Sequence, residues 1–176
     1  MADPYMIHEK LTAAANIDPL NVDAPNMHAR VILRQFQAGP AKNPDILYKA
    51  VERFTEAKNR DQANFAYYEK LSTTHNMLAS VTTGSAAKDN KEKATYWMDE
   101  AIKRYPNSAR LQIEAAILAE SSERLNKALQ HYEKAIQIED AYREIFKVMY
   151  PEREVISRLR EEKYQLAKQK VKQFSR

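Results

Sequence analysis

The sequence predicts an all-α fold, a right-handed superhelical array of helix-turn-helix repeats that ends in a capping helix. The composition favours helix over strand, because the 176 residues include only two glycines and straight-chain residues lose little rotamer freedom in a helix. A repeated phrase with helical spacing points the same way. No apolar run approaches the roughly 18 residues that a membrane span needs. We therefore expect no membrane insertion by this chain.

The repeated phrase is a small residue, a bulky apolar residue four positions later, and a second small residue three positions after that. It occurs three times, at Ala50, Phe54 and Ala57, at Ala94, Met98 and Ala101, and at Ala128, Tyr132 and Ala135. Residues at i, i+4 and i+7 share one face of a helix. Each phrase therefore predicts a stripe where alanine lets two helices approach and the bulky residue fills the gap. The last two copies are 34 residues apart, whereas the first two are 44 apart.

These phrases resemble the second helices of the tetratricopeptide repeat family, and a degraded copy at Ile7, Leu11 and Ala14 extends the likeness toward the start. The resemblance implies a half repeat over 3–21, repeats over about 22–61, 62–106 and 107–140, and capping helices over 143–176. The first helices depart from the family pattern, since Ala115-Ala116 stands where the Leu-Gly pair is usual. An unrelated helical bundle is the alternative fold.

Along the chain we expect helices at 4–17, 23–37, 44–58, 62–81, 91–104, 108–120 and 125–138, then a short helix over 143–150 and a long one over 152–174. Asp3-Pro4 opens the first helix and Asn43 caps the third. The turn-forming residues of 82–90 predict a loop. The terminal helix is expected to turn four residues toward the stack, namely Val155, Leu159, Leu166 and Val171. The first helix has no partner before it, so the sequence is expected to be part of a longer protein.

The inner surface of a stacked array is lined mainly by the first helix of each pair. The family register implies a peptide-binding face made of Arg110, Ile113, Glu114 and Ile117, joined by Glu69, Lys70 and Thr73 from the preceding repeat. Apolar residues beside mixed charge suit an extended peptide or a helix better than a phosphate backbone. The alternative is that the register slips by one residue and the isoleucines belong to the core. The resemblance thus implies a non-enzymatic scaffold for a protein or peptide partner of unknown identity.

Residue types that carry catalysis are scattered or absent. Cysteine is absent, and the histidines, His8, His28, His75 and His131, are spread one per helix pair. Metal sites need clustered ligands, and phosphate loops need grouped glycines. We predict no catalytic residue, no metal and no cofactor, and interpret the histidines as surface or packing residues.

The basic character of the chain lies at its end. Residues 143–176 contain ten Lys and Arg against five Glu, which leaves a balance of −1 for the rest of the +4 chain. We interpret this as a solvated face, and nucleic-acid binding is a less favoured alternative.

The same tail carries a second resemblance. The segments Asp140-Ala141-Tyr142-Arg143, Met149-Tyr150-Pro151 and Ser157-Arg158-Leu159 are similar to the end of the repeat tails of some bacterial membrane glycan polymerases and ligases of the O-antigen ligase type. That resemblance implies an alternative function as an accessory domain, beside a bacterial membrane and in contact with the membrane domain of its own parent protein. The compartment is otherwise left open.

Overall fold

The computed structural model describes residues 4–40 and 42–175, which form eight α-helices and no strand. The helices are α1 (Pro4–Ile17), α2 (Asp23–Ala38), α3 (Pro44–Arg60), α4 (Phe65–Val81), α5 (Gly84–Arg104), α6 (Ala109–Ser121), α7 (Leu125–Met149) and α8 (Glu161–Phe174). The predicted all-α repeat fold is confirmed. Asp3, the predicted cap of the first helix, lies outside the described residues.

The chain divides into two compact units, one up to Arg104 and one from Tyr105 onward. The first unit contains α1 to α5 and the second contains α6 to α8. Inside each unit, the main helix contacts are between helices that are neighbours in sequence. This is the pattern of a repeat protein, in which each element packs chiefly on the next.

Polar side chains at the helix starts explain where several helices begin. Asn43 caps α3 as predicted, since its side chain accepts a hydrogen bond from the Asp45 backbone N–H (2.9 Å). Asn64 caps α4 in the same way, so this helix begins three residues later than the predicted start at 62. Ser108 accepts from the Leu111 N–H (3.3 Å) and is the cap of α6 rather than its first residue. Such caps satisfy backbone donors that have no partner inside the helix.

The core of the first unit is shared by three consecutive helices. Ala29 of α2, Phe54 of α3 and Leu71 of α4 form one buried cluster, and Trp97 of α5 packs against it. Phe54 and Leu71 are fully buried. A bulky residue from the second helix of one pair therefore contacts the first helix of the next pair.

The second unit has an equivalent core. Tyr132 of α7 is 1% exposed and packs with Ile113 of α6 and with Tyr164 and Ala167 of α8. Its hydroxyl donates to Glu120 Oε2 at 3.0 Å. Burial, together with this hydrogen bond, raises the pKa of Tyr132, so the phenol stays protonated and remains a donor.

The predicted loop over 82–90 is wrong, because α5 already begins at Gly84. Gly84 adopts a φ of +60°, which glycine tolerates and which lets the chain reverse after α4 with two connecting residues. Asn90 was expected in the loop, yet it is buried and its side chain donates to the Ala86 carbonyl (2.9 Å). Its side-chain oxygen also pairs with His75 Nδ1 at 2.8 Å. These bonds stabilise helix where isolated turn formers predict a loop.

The predicted break after residue 138 is also wrong, since α7 runs without interruption to Met149. Nothing in 139–142 breaks a helix, and Glu139 lies in the turn that was expected to end it. Glu139 is 1% exposed and accepts from Arg143 Nε at 3.1 Å, one turn further on. The helix ends two residues before Pro151, which cannot continue it.

The terminal helix is shorter than predicted, because α8 begins at Glu161 and not at residue 152. Arg160, just before it, has a φ of +65°, which separates the helix from the segment that precedes it. Leu159 is buried as expected, whereas Leu166 is 39% exposed, so its predicted inward orientation is wrong. A seven-residue spacing shares a face only within one continuous helix, and the two leucines belong to different segments.

Candidate functional site

The accessible side chains of α6 form one narrow line. Arg110 and Glu114 are half-buried and Ile117 is 47% exposed, and the three lie at i, i+4 and i+7. The positions between and beside them are buried, namely Ala109, Leu111, Gln112, Ile113, Ala115, Ala116, Leu118 and Ala119. Arg110 Nη1 and Glu114 Oε1 are 3.0 Å apart, so a salt bridge runs along the line. The result is a helix held on three sides that presents one ordered row of side chains.

Ile113 is placed differently from the predicted peptide-binding face. It is 1% exposed and belongs to the core cluster of the second unit. An α-helix turns by about 100° per residue, so Ile113 is rotated by about 40° to 60° from Ile117 and Arg110 around the helix axis. Because the accessible line is narrow, this rotation is enough to turn Ile113 into the core. Of the two isoleucines, only Ile117 is offered to a ligand.

The exposed line of α4 contains the other predicted residues. Lys70 and Thr73 are exposed and Glu69 is half-buried. The Thr73 hydroxyl donates to the Glu69 carbonyl at 3.0 Å. The opposite faces of α4 are buried through residues that include Tyr67, Tyr68, Leu71, Ser72 and His75. The predicted peptide-binding face therefore consists of two separate rows of side chains. One row lies on α4 in the first unit and the other lies on α6 in the second unit.

All nine residues of the three repeated phrases are at most 2% exposed, namely Ala50, Phe54, Ala57, Ala94, Met98, Ala101, Ala128, Tyr132 and Ala135. An alanine with no exposed surface at a helix contact leaves no room for a larger side chain. Trp97, next to Met98, stacks 5.9 Å from the Tyr68 ring. It is partly buried against the core, which favours a packing role over a platform for nucleic-acid bases.

A pair of arginines holds the loops between repeats, and the sequence-based predictions missed it. The Arg60 guanidinium donates to the carbonyls of Ala15 (3.0 Å) and Asn21 (2.6 Å). Arg104, which is 44 residues later, donates to the Gln62 carbonyl at 2.8 Å and covers the Tyr68 ring. Each arginine also pairs with a glutamate one turn earlier in its own helix. Arg60 and Arg104 are separated by the same 44 residues as the first two phrases. The repeated Glu–Arg spacing in the sequence could therefore have revealed this pair of arginines.

Two of the scattered histidines meet in the first unit. His8 Nδ1 and His28 Nε2 are 2.7 Å apart, and His8 Nε2 is 3.0 Å from Gln35 Oε1. They line a pocket of about 360 Å³ with Ile32, Gln35, Ile46, Lys49, Glu52 and Arg53. Burial, with smaller effects of Arg53 and His8, lowers the pKa of His28, which favours the neutral His28 ring in this pair. The described residues contain no group of three His, Cys, Asp or Glu side chains that would hold a metal ion.

The other two histidines bond to amide side chains. His75 pairs with Asn90 (2.8 Å) and His131 with Gln112 (2.7 Å). Burial lowers the pKa of His75. Both are packing interactions between neighbouring helices.

Two of the basic residues near the end of the chain have carboxylate partners inside the second unit. Arg143 pairs with Glu139 and with Glu161 (2.6 Å) and lies over the Tyr164 ring. Lys170 pairs with Glu120. These contacts stabilise the docking of α8 and leave fewer cations for a phosphate backbone. No helix among the described residues is long and apolar enough to cross a membrane.

The paired helices, the buried phrases and the exposed lines define a helical repeat protein of the tetratricopeptide type. A model of the Iml2/Tetratricopeptide repeat protein 39 family matches residues 63–175, and the chain belongs to this family. Proteins with this fold are generally non-enzymatic scaffolds for protein binding. The matching family is not the O-antigen ligase family, so that resemblance of the tail stays a prediction.

Solved structures show the same fold. A crystal structure of MamA has a TM-score of 0.58 at 17% identity, over 96% of this chain and 88% of that one. A thermophilic tetratricopeptide repeat protein of Thermus thermophilus, TTC0263, has a TM-score of 0.57 at 16% identity, over 96% and 81% of the two chains. At these identities the likeness concerns the fold alone. A search of curated proteins finds no significant match.

Proposed function

We propose that the chain is an interaction scaffold that binds a segment of a partner protein along the exposed line of α6. The observation that carries this proposal is the burial of α6 on three sides, which leaves Arg110, Glu114 and Ile117 as a single row. A row fixed by core packing loses little conformational entropy when a ligand binds. The fold and the family are typical of such scaffolds.

The chemistry of the row suits a short amphipathic segment. Ile117 offers apolar surface at one end, and the Arg110–Glu114 pair offers both signs of charge one turn away. A peptide with an apolar side chain flanked by a polar or charged residue matches both features. In the first unit, Glu69, Lys70 and Thr73 form a more polar row on α4, which we propose as a further contact surface.

The test is a selection of 12-residue peptides from a random displayed library against the wild-type chain, followed by affinity measurements on two variants. We expect Ile117→Asp to weaken binding of the selected peptides at least tenfold, because it replaces an apolar contact by a charge. The matched control is Ile145→Asp, which changes another exposed isoleucine of the same unit, 59% exposed on α7. Control affinity should stay within about twofold of the wild type, a difference of about 0.4 kcal/mol.

Selected peptides that bind Ile117→Asp as tightly as the wild type would contradict the proposal. A loss of the same size with Ile145→Asp would also contradict it, because binding would then depend on general apolar exposure. Circular dichroism of both variants establishes that the helices are intact.

A further inference from the structure

An acidic groove runs between α7 and α8 in the second unit. The groove has a volume of about 520 Å³ and is lined by Glu133, Ile136, Gln137, Asp140, Ala141 and Glu144 of α7 and by Val171 of α8. We call it the end groove. Ile136 and Val171 are partly buried against the core and form its apolar floor. Glu133 and Glu144 are exposed, and their positions are about 16 Å apart along the helix axis.

The first unit shows a helix seated at the corresponding place. Phe54 and Tyr132 are the bulky residues of their phrases, and each packs against the first helix of the next pair. Phe54 shares a core cluster with Leu71 of α4, and Tyr132 shares one with Tyr164 of α8 and lies 6.3 Å from the Phe174 ring of α8. Hence α8 is placed on α7 as α4 is placed on α3.

Counting from these two aromatic residues identifies the surface in the first unit that corresponds to the end groove. Ile136 corresponds to Lys58, whose ammonium lies 5.5 Å from the centre of the Trp97 ring of α5. By the same count Asp140 corresponds to Gln62, which lies just beyond the end of α3 and whose carbonyl accepts from Arg104 of α5 at 2.8 Å. In the first unit, α5 therefore reaches this region through Trp97 and Arg104, and α5 is the second helix of its pair.

Among the described residues of the second unit, only α7 and α8 line the end groove. We propose that the end groove is the docking site of an amphipathic helix from a partner protein, seated on α7 and α8 as α5 packs along α4 and touches α3 through Trp97. The helix carries small and bulky apolar residues toward Ile136 and Val171. It carries basic residues toward Glu133, Asp140 and Glu144. In the first unit, Arg104 of α5 makes the comparable contact with the Gln62 carbonyl. Complementary charge of this kind fixes the orientation of a docked helix and raises the rate of association.

This inference is independent of the proposed function, because the end groove shares no residue with the exposed line of α6. The partner is defined by its chemistry, a basic amphipathic helix with the small–bulky–small phrase on its apolar face. Helix-in-groove recognition of this type reads apolar anchors at i, i+4 and i+7.

A labelled peptide with the sequence of residues 87–104 tests the proposal, with Thr95 and Glu100 changed to lysine (Thr95→Lys and Glu100→Lys). These two positions flank the Ala94, Met98 and Ala101 phrase of α5, so the probe keeps the apolar stripe and carries basic residues along both of its edges. Fluorescence anisotropy should show saturable binding to the wild-type chain. We expect the double variant Glu133→Lys/Glu144→Lys to weaken binding at least tenfold. The control Glu152→Lys reverses an exposed charge of the same unit outside the groove and should leave the affinity within about twofold.

A steric variant separates docking in the groove from general attraction between charges. Ala141 is exposed and lines the groove, so Ala141→Trp fills it without disturbing the core, and we expect a loss of at least tenfold. No saturation below about 1 mM, or binding that survives both groove variants, would overturn the proposal. Self-association of the wild type that the same variants abolish would assign the groove to a second copy and overturn it as well. Ile117→Asp should leave probe binding unchanged, so failure here is distinguishable from failure of the proposed function.

Discussion

Ile113 and Ile117 give a matched test of the orientation of α6, because the same residue type occurs twice on one helix. Ile113 is 1% exposed within the core cluster, and Ile117 is 47% exposed. Truncation of each to alanine removes the same three carbon groups. The free energy of unfolding should therefore respond very differently to Ile113→Ala and Ile117→Ala.

The magnitude follows from burial. Three carbon groups at about 0.8 kcal/mol each give about 2.4 kcal/mol of lost transfer free energy for Ile113→Ala. A residual cavity of roughly 50 Å³ at about 24 cal/mol per Å³ adds about 1 kcal/mol, for a total of about 3.5 kcal/mol. For Ile117→Ala about half of the transfer free energy is lost and no cavity forms, and the better helix propensity of alanine offsets part of this. We expect a loss below about 1 kcal/mol.

The assay is urea unfolding followed by far-ultraviolet circular dichroism, with the wild type and both variants measured side by side. The single tryptophan, Trp97, lies in the first unit, so its fluorescence does not report directly on these substitutions. Equal losses for the two variants, or a larger loss for Ile117→Ala, would refute the orientation of α6 and with it the exposed row.

Three further substitutions test the packing, the loop anchor and the buried imidazole. Ala128→Glu places a charge at a position with no exposed surface and should cost more than about 3 kcal/mol; an unchanged melting temperature would show that Ala128 is exposed. Arg104→Ala removes the hydrogen bond to the inter-repeat loop and should lower the free energy of unfolding by about 1–2 kcal/mol. The control Lys103→Ala changes an exposed side chain and should alter it by no more than about 0.5 kcal/mol. Equal urea midpoints for the two variants would contradict the anchoring role of Arg104. Burial lowers the pKa of His28 below 6.5, so on acidification this ring is protonated in the unfolded chain before it is protonated in the folded chain. The free energy of unfolding should therefore fall as the pH drops below about 6.5. His28→Gln should flatten that dependence in urea unfolding followed by Trp97 fluorescence, and an unchanged slope would argue against the buried neutral ring.

The fold and its packing stripes were predictable from the sequence because they depend on local spacing. Ala128, Tyr132 and Ala135 share a face of any helix that contains them, whatever surrounds that helix. The cap at Asn43 is equally local, since its side chain bonds to a backbone N–H two residues away. These features can therefore be predicted without knowing which helix packs against them.

The errors lie where a distant contact decides the local structure. Asn90 favours a turn in isolation, and its bond with His75, 15 residues earlier, stabilises helix instead. Leu166 was assigned inward by its spacing from Leu159, but the positive φ of Arg160 interrupts the helix between them. The narrow row on α6 was predictable only in part, because the family register does not reveal how much of a first helix its neighbours cover.

The meeting of His8 and His28 was not predictable from their positions 20 residues apart. Their pairing depends on how α1 packs on α2, and the sequence contains no spacing rule for that contact. The end groove was hidden for a similar reason, since it appears only when α7 is continuous through residues 139–144.

The most direct measurement of the central claim is a nuclear magnetic resonance titration of the isotope-labelled chain with a library-selected peptide. A scaffold that binds through the exposed row of α6 should show its largest backbone shift changes at Arg110, Glu114 and Ile117, and these changes should saturate as the peptide concentration rises. Shift changes confined to exposed positions of α7, such as Lys134 and Ile145, with α6 unaffected, would contradict the claim.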